Sequence, residues 1–260
     1  MSTTNIELFF YVIFALSLGS YSAAFSVRWP TKCFYLWRKE AHHLLSIPFI
    51  DSKDSIKAKR SHCSHCSHLL AWFDLLPIVS FLLLKGKCRY CKHSISYRYP
   101  IIEALHLILC LPLLWLPLDT YSLILHTTLI SALITTTVID LEHKLIPDEC
   151  CVIILICALS IHLLNMTLET SVLGILIGYC FAYSLRLFYS TIRKQEGIGL
   201  GDVKLISALS AWLGISNLSA LLLCASLVGI LYTITFNKGG SEQIPFGPFL
   251  IFSGIIVFYL

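Results

Sequence analysis

The chain has 260 residues, of which 57% are hydrophobic and 13% charged, and its mean hydropathy is +0.78. Too few charged side chains are left to cover a water-facing surface, which excludes a soluble globular protein. The formal net charge is only +4, no nucleic-acid partner is expected, and the chain belongs in a bilayer.

Crossing the hydrocarbon core as a helix takes about 20 apolar residues. Such runs occur over 7–27, 101–118, 121–141, 150–166, 171–189 and 217–236, and shorter ones over 204–214 and 248–260 complete a set of eight. The first run lacks a small-residue cleavage site behind a basic start, which marks a retained helix rather than a removed signal peptide. Of the 19 Lys and Arg residues, 13 lie between Arg28 and Arg98, where the acids are Glu40, Asp51, Asp54 and Asp74. Cytoplasmic loops hold such an excess, so this loop is expected inside. With eight spans the other six basic residues, Lys144, Arg186, Arg193, Lys194, Lys204 and Lys238, also fall in or at the edge of cytoplasmic segments. The 204–214 run is too short to cross alone and is expected to be re-entrant or enclosed in protein.

The expected fold is therefore an all-α polytopic membrane protein of about eight transmembrane helices with one small cytoplasmic zinc-binding domain. Its parts are a first transmembrane helix over 1–27, a cytoplasmic domain over 28–100, and a membrane domain of about seven helices over 101–260. Within the cytoplasmic part, Asp51 to Arg60 is expected to be a solvated linker. Leu69 to Leu84 is apolar but interrupted by Asp74 and Pro77, which argues against a span. It is expected to be the core of the small domain, laid on the membrane surface.

Four of the 11 cysteines are spaced Cys63-x-x-Cys66 and Cys88-x-x-Cys91, with 21 residues between the pairs. Disulfides are disfavoured in a reducing cytoplasm. Two such turns can bring four thiolates to one tetrahedral Zn²⁺, whose binding energy can fold a domain that lacks a sufficient core. Four unligated thiols or one redox pair would be the alternatives, and His62, His65 and His68 flank the first pair as substitute ligands. Cysteines such as Cys110, Cys180 and Cys224 fall on apolar helices and are expected to be inert.

Two acids stand at the edges of apolar runs. Asp140 ends the third run, and Asp202 follows Gly197-Ile198-Gly199-Leu200-Gly201 at the start of a later one, on the same expected side. Alternating glycines permit positive φ and close backbone approach beside the second acid. Ionisable groups at membrane depth default to a functional role with a named partner. Two adjacent carboxylates share one proton, and such a pair can activate a water and protonate a scissile carbonyl. Alternatively, each aspartate caps a helix or pairs with Lys144 or Lys204. Glu142, Asp148 and Glu149 are expected to be interfacial or solvated charges.

These residues, in order, resemble the type IV prepilin leader peptidase and N-methyltransferase family of GxGD aspartic peptidases. The resemblance rests on Gly199-x-Gly201-Asp202 with Val203-Lys204-Leu205, on Asp140 ahead of Ile146-Pro147-Asp148, and on Ile244 to Leu250. In the loop it rests on His62-Cys63, Trp72, Pro77, Ser80, Gly86-Lys87-Cys88-Arg89-x-Cys91 and Arg98-Tyr99-Pro100 with Glu103. An early departure is Gly19-Ser20-Tyr21-Ser22, where the family typically has Phe-Leu-Asn after Gly-Ser. The resemblance implies catalytic Asp140 and Asp202, supported by Gly199, Gly201, Lys204 and Pro147, and zinc on Cys63, Cys66, Cys88 and Cys91. It implies a multi-pass bacterial inner-membrane enzyme with its active site at the cytoplasmic face. Its substrates would be type IV prepilins or pseudopilins, cut after a glycine to expose an apolar residue, often Phe. It further implies methyl transfer from S-adenosylmethionine to the new amine, with Gly86, Arg98, Glu103 and Tyr99 as candidates to line that site.

Two other classes compete. A transporter relaying protons through Asp140 and Asp202 would place both acids at mid-bilayer in broken helices. A zinc-ribbon assembly protein would leave the acid pair unexplained.

Overall fold

The computed structural model describes residues 5–48, 61–63, 65–194, 197–236 and 244–260. The expected linker from Asp51 to Arg60, and Lys238, lie outside these residues. The described residues form helices and no strand beyond two isolated bridges, as an apolar chain requires when backbone groups cannot turn to water. Among the described residues five helical stretches are long and apolar enough to cross a membrane: Ile6–Leu44, Arg98–Trp115, Thr120–His143, Leu168–Arg193 and Ile215–Thr235. The remaining three expected runs become helices of 17, 14 and 13 residues. The chain separates into two compact units, Met1–Pro112 and Leu113–Leu260.

In the first unit, helix α1 (Asn5–Leu44) does not stop where the apolar run meets Arg28 but continues through Pro30. At ~1.5 Å per residue its 40 residues outreach a hydrocarbon core of about 30 Å. A strip of small residues, Ala15, Ser22, Ala23 and Ser26, is buried against α3 (Arg98–Cys110). Gly19 belongs to the same strip, since a Cβ there would lie 3.0 Å from Glu103 Cα and 3.2 Å from the His106 side chain. This close seam is polar. His106 Nδ1 lies 2.8 Å from the Ile102 carbonyl, so that nitrogen carries the proton, and Nε2 accepts from the Ser22 hydroxyl at 3.1 Å. Tyr11 donates to the Cys110 carbonyl, and Arg98 to the Ser26 hydroxyl.

Between α1 and α3 run a 3-10 turn (Trp72–Leu75) and the short helix α2 (Val79–Leu83). Neither has a buried residue, with Trp72 76%, Leu82 67% and Leu83 77% exposed. The expectation that Leu69 to Leu84 forms the core of the small domain is therefore corrected. The segment is too short to fold over itself, and its apolar side chains turn outward.

The second unit contains α4 (Thr120–His143), α5 (Asp148–Leu164), α6 (Leu168–Arg193), α7 (Leu200–Leu213), α8 (Leu218–Thr235) and α9 (Gly247–Tyr259). Its centre is α7, in which every residue from Leu205 to Leu213 is buried. Of the two fates expected for the short 204–214 run, the structure has the enclosed one. α7 packs on α5, α6 and α9. Against α6 the approach is set by Gly174 and Gly178. A Cβ at Gly174 would overlap the Ser210 carbonyl oxygen, and one at Gly178 would come within 2.7 Å of Ser210 Oγ. Ser171 and Ser207 donate across the seam to the Ala211 and Ile175 carbonyls at 2.8 and 3.0 Å. Small residues with hydroxyl crosslinks replace the hydrophobic drive that lipid cannot supply between helices.

Gly174→Leu should therefore cost about 1–3 kcal/mol by overpacking and lower the thermal midpoint of the purified protein in detergent. Gly229→Ala, where the nearest atom to a new Cβ is 3.5 Å away, should be tolerated. Equal midpoints for the two variants would show that the α6–α7 approach can relax.

Candidate functional site

Three segments of the second unit converge on Asp140. The acid is buried in the last turn of α4, where that helix closes on Lys144 in left-handed conformation, its N–H bonded to the Asp140 carbonyl at 2.9 Å. The chain then leaves the helix through Ile146 and restarts as α5 behind Pro147, whose own backbone is extended. From the far end of the chain, Gly247, the first residue of α9, donates its N–H to Asp140 Oδ2 at 3.0 Å. A Cβ at Gly247 would lie 2.5 Å from that oxygen. Only glycine lets the start of α9 approach the carboxylate.

Asp202 stands in the first turn of α7 and accepts the Gly199 N–H at 3.2 Å, capping its own helix. Ile146 joins the segments, since a Cβ at Gly201 would meet Ile146 Cβ at 3.0 Å, and one at Gly247 would meet Ile146 Cδ1 at 3.4 Å. Positive φ, expected as one use of the glycines, is not adopted at Gly197, Gly199 or Gly201. Close approach is the reason at Gly201 and also at Gly197, where a Cβ would overlap the Tyr189 ring.

Lys204 pairs with neither Asp140 nor Asp202. Its Nζ lies 2.6 Å from Asp148 Oδ1, joining the first turns of α7 and α5. Asp148 is thus ion-paired rather than simply solvated. Asp148, Ile146 and Gly247 are the site residues whose contacts were hidden in the sequence.

In the first unit, Cys63, Cys66, Cys88 and Cys91 bring their sulfurs within 4.8 Å of one another, and Cys63 Sγ to Cys91 Sγ is 3.8 Å. Zinc with Zn–S bonds of about 2.3 Å in a tetrahedron needs sulfurs about 3.8 Å apart, so the donor set fits such an ion. The two turns repeat each other. Cys63 and Cys88 N–H groups bond to the His68 and His93 carbonyls at 3.0 and 2.8 Å, and Ser67 and Lys92 both take positive φ. The rings cross over, with His65 stacked on His93 at 4.3 Å and His68 tilted against Tyr90 at 3.6 Å. Thus His65 and His68 make ring contacts and stand outside the four-sulfur cluster. The Cys66 amide, joined by that of His65, lowers the Cys63 thiol to about 6, whereas Cys91, despite the His93 amide, is pushed up to about 11 by burial and the neighbouring thiols. So many thiols ionise together only around a cation.

The four candidates for the methyl-donor site, Gly86, Arg98, Tyr99 and Glu103, also lie in this unit, and three of them have packing contacts. Gly86 takes φ +67° under the Phe81 ring, Arg98 holds Ser26, and the buried Glu103 accepts the Ile78 N–H at 2.7 Å.

Comparison with known proteins supplies the remaining fact. Residues 13–116 match the bacterial peptidase A24 N-terminal domain, and residues 127–234 match the type IV leader peptidase family. The "Type 4 prepilin-like proteins leader peptide-processing enzyme" of Escherichia coli is 36% identical over 94% of this chain and 91% of its own length. The chain belongs to the type IV leader peptidase family. It is thereby an enzyme of the leader-peptidase class. Proteins named "Prepilin leader peptidase/N-methyltransferase" from Xanthomonas campestris and Aeromonas salmonicida are each 33% identical over 94% of the chain, covering 88% and 87% of those relatives. No solved structure matches significantly. With its apolar helices, this leader-peptidase relative is a multi-pass membrane protein. The first match contains the cysteine quartet and the second contains both aspartates, dividing the chain close to where its contacts do.

The four-sulfur geometry predicts that Co²⁺ added to metal-free protein gives the visible absorption of a tetrahedral thiolate complex, and that Cys88→Ser weakens it. A spectrum unchanged in the variant would exclude the quartet as the ligand set.

Proposed function

We propose that the protein cleaves the basic leader peptides of type IV prepilins or pseudopilins at the cytoplasmic face of the bacterial inner membrane, using Asp140 and Asp202 as an acid–base pair. The observation that carries this reading is the convergence of the Asp140, Gly199–Asp202 and Gly247 segments around Ile146. One carboxylate, ionised, takes a proton from water as its oxygen attacks the scissile carbonyl carbon. The other, protonated, donates to the carbonyl oxygen, giving a neutral tetrahedral intermediate. Collapse reforms the carbonyl and breaks the C–N bond as the departing nitrogen takes up a proton from the pair. The Gly247 amide keeps Asp140 in one orientation, and the Asp148–Lys204 pair supports the helix turn bearing Asp202.

The excess of Lys and Arg over 28–98 supports a cytoplasmic first loop, and the eight-span topology then brings both acids to that side. The three helices too short to span unaided would complete that topology within the protein. The domain division we favour is the first span, a zinc-bearing loop to residue 100, and the membrane peptidase beyond it. In that loop Zn²⁺ held by Cys63, Cys66, Cys88 and Cys91 has a structural role. The named relatives support a second step, methylation of the amine exposed by cleavage. S-adenosylmethionine supplies an activated methyl group for that step, and Gly86, Arg98 and Glu103 would keep the loop in shape beside it.

Asp140→Asn and Asp202→Asn should each abolish leader removal from a purified prepilin, followed by intact mass, while the variants still insert and bind zinc. Gly247→Ala should lower cleavage on the order of 100-fold by displacing Asp140. Normal processing by either Asn variant would sink the mechanism. The wild type given S-adenosylmethionine should add one methyl to the shortened product. A Cys88→Ser/Cys91→Ser protein should lose stoichiometric zinc, with methylation reduced more than cleavage.

A further inference from the structure

The turn Trp72–Leu75 and helix α2 leave apolar side chains exposed, most of all Trp72, Leu82 and Leu83 and also Leu75, Leu76 and Val79. Their position along the candidate spanning stretch is fixed within the first unit. Ile78, between the two elements, is held by its N–H on the Glu103 carboxylate at 2.7 Å. Glu103 lies five residues beyond Arg98, where the spanning stretch Arg98–Trp115 begins. At ~1.5 Å per residue, that tie sits about 7 Å along the helix from its basic end. Interfacial helices bury their apolar face about 5–10 Å into the headgroup–acyl boundary.

The one charge within the apolar stretch is prepared for such a place. Asp74, whose side chain is 3% exposed, accepts the Arg89 Nε at 2.8 Å and the Ala71 N–H at 3.2 Å. The guanidinium also lies over the Phe73 ring, 4.9 Å from its centroid. Exposed Lys85 and Lys87 follow α2 in the chain, as cations suited to lipid phosphates. Tryptophan is itself enriched at this boundary.

We infer that Trp72–Leu83 is an interfacial foot, inserted at the headgroup–acyl boundary of the bilayer and held at that depth by the Glu103–Ile78 bond. The foot seats the metal-binding turns on the membrane rather than leaving them on a free loop. This rests on the spanning character of α3 and not on the catalytic reading of the aspartates. Failure of one therefore leaves the other standing.

The test uses the full-length protein in phosphatidylcholine vesicles containing a fraction of phosphatidylglycerol, with acyl chains brominated near the headgroup. The Trp72 component is the difference in fluorescence between wild type and Trp72→Phe. Bromolipid should quench that component by at least half, while aqueous iodide leaves it nearly unchanged. Glu103→Ala should reverse this preference, and Glu103→Gln, whose amide oxygen still accepts from Ile78, should keep it. Quenching by iodide and not by bromolipid would overturn the inference. So would protection from both quenchers, which would mean that protein, such as a second copy of the chain, covers the surface. Lipid quenching unaffected by Glu103→Ala would overturn the role of the tie.

Discussion

The arrangement of the second unit depends on how closely backbone can approach one buried carboxylate. Asp140 ends a helix inside an apolar unit, where an ungratified charge would be costly. The Gly247 N–H answers it across 107 residues of chain, and that donor reaches it only because position 247 has no side chain. The same economy holds at Gly201 beside Ile146. Two missing Cβ atoms thus let three chain segments share one side chain as their common surface.

The helical seams extend this logic outward. Glycines at 174 and 178 bring α6 onto α7, and serine hydroxyls join the two through backbone carbonyls. The first unit solves the same problem with Gly19 and a buried histidine on α3. In both, packing in place of hydrophobic segregation fixes where the acids sit, since side chains facing lipid gain little by turning inward.

The features legible from sequence were those whose partners lie within a few residues. Each CxxC turn is local, so the quartet could be named, and a hydropathy run needs only its neighbours to suggest a helix. Gly247 and Ile146 were visible as residues but not as contacts, because nothing local tells which distant segment a glycine admits. In sequence Lys204 is a candidate partner for Asp140 or Asp202, whereas its partner is Asp148, 56 residues away. Leu69 to Leu84 misled for another reason. An apolar run looks alike whether it faces a core or lies exposed, and only the accessibility of Trp72 and Leu83 separates the two. The likeness of the two cysteine turns was faint in sequence, since beyond the cysteines they share a histidine, at 68 and 93, while Ser67 and Lys92 take the same backbone shape with unlike side chains.

The doubled turn also has a consequence for chain entropy. Each half brings two sulfurs, so neither completes a tetrahedral ion alone, and the ion must hold both ends of the 21-residue stretch between Cys66 and Cys88. Closing a loop of that length forfeits conformational freedom that grows only slowly with length. One cation bound there would constrain the whole stretch through its ends, much as a buckle shortens a strap. The apolar residues between the turns would then need no core of their own to keep a shape.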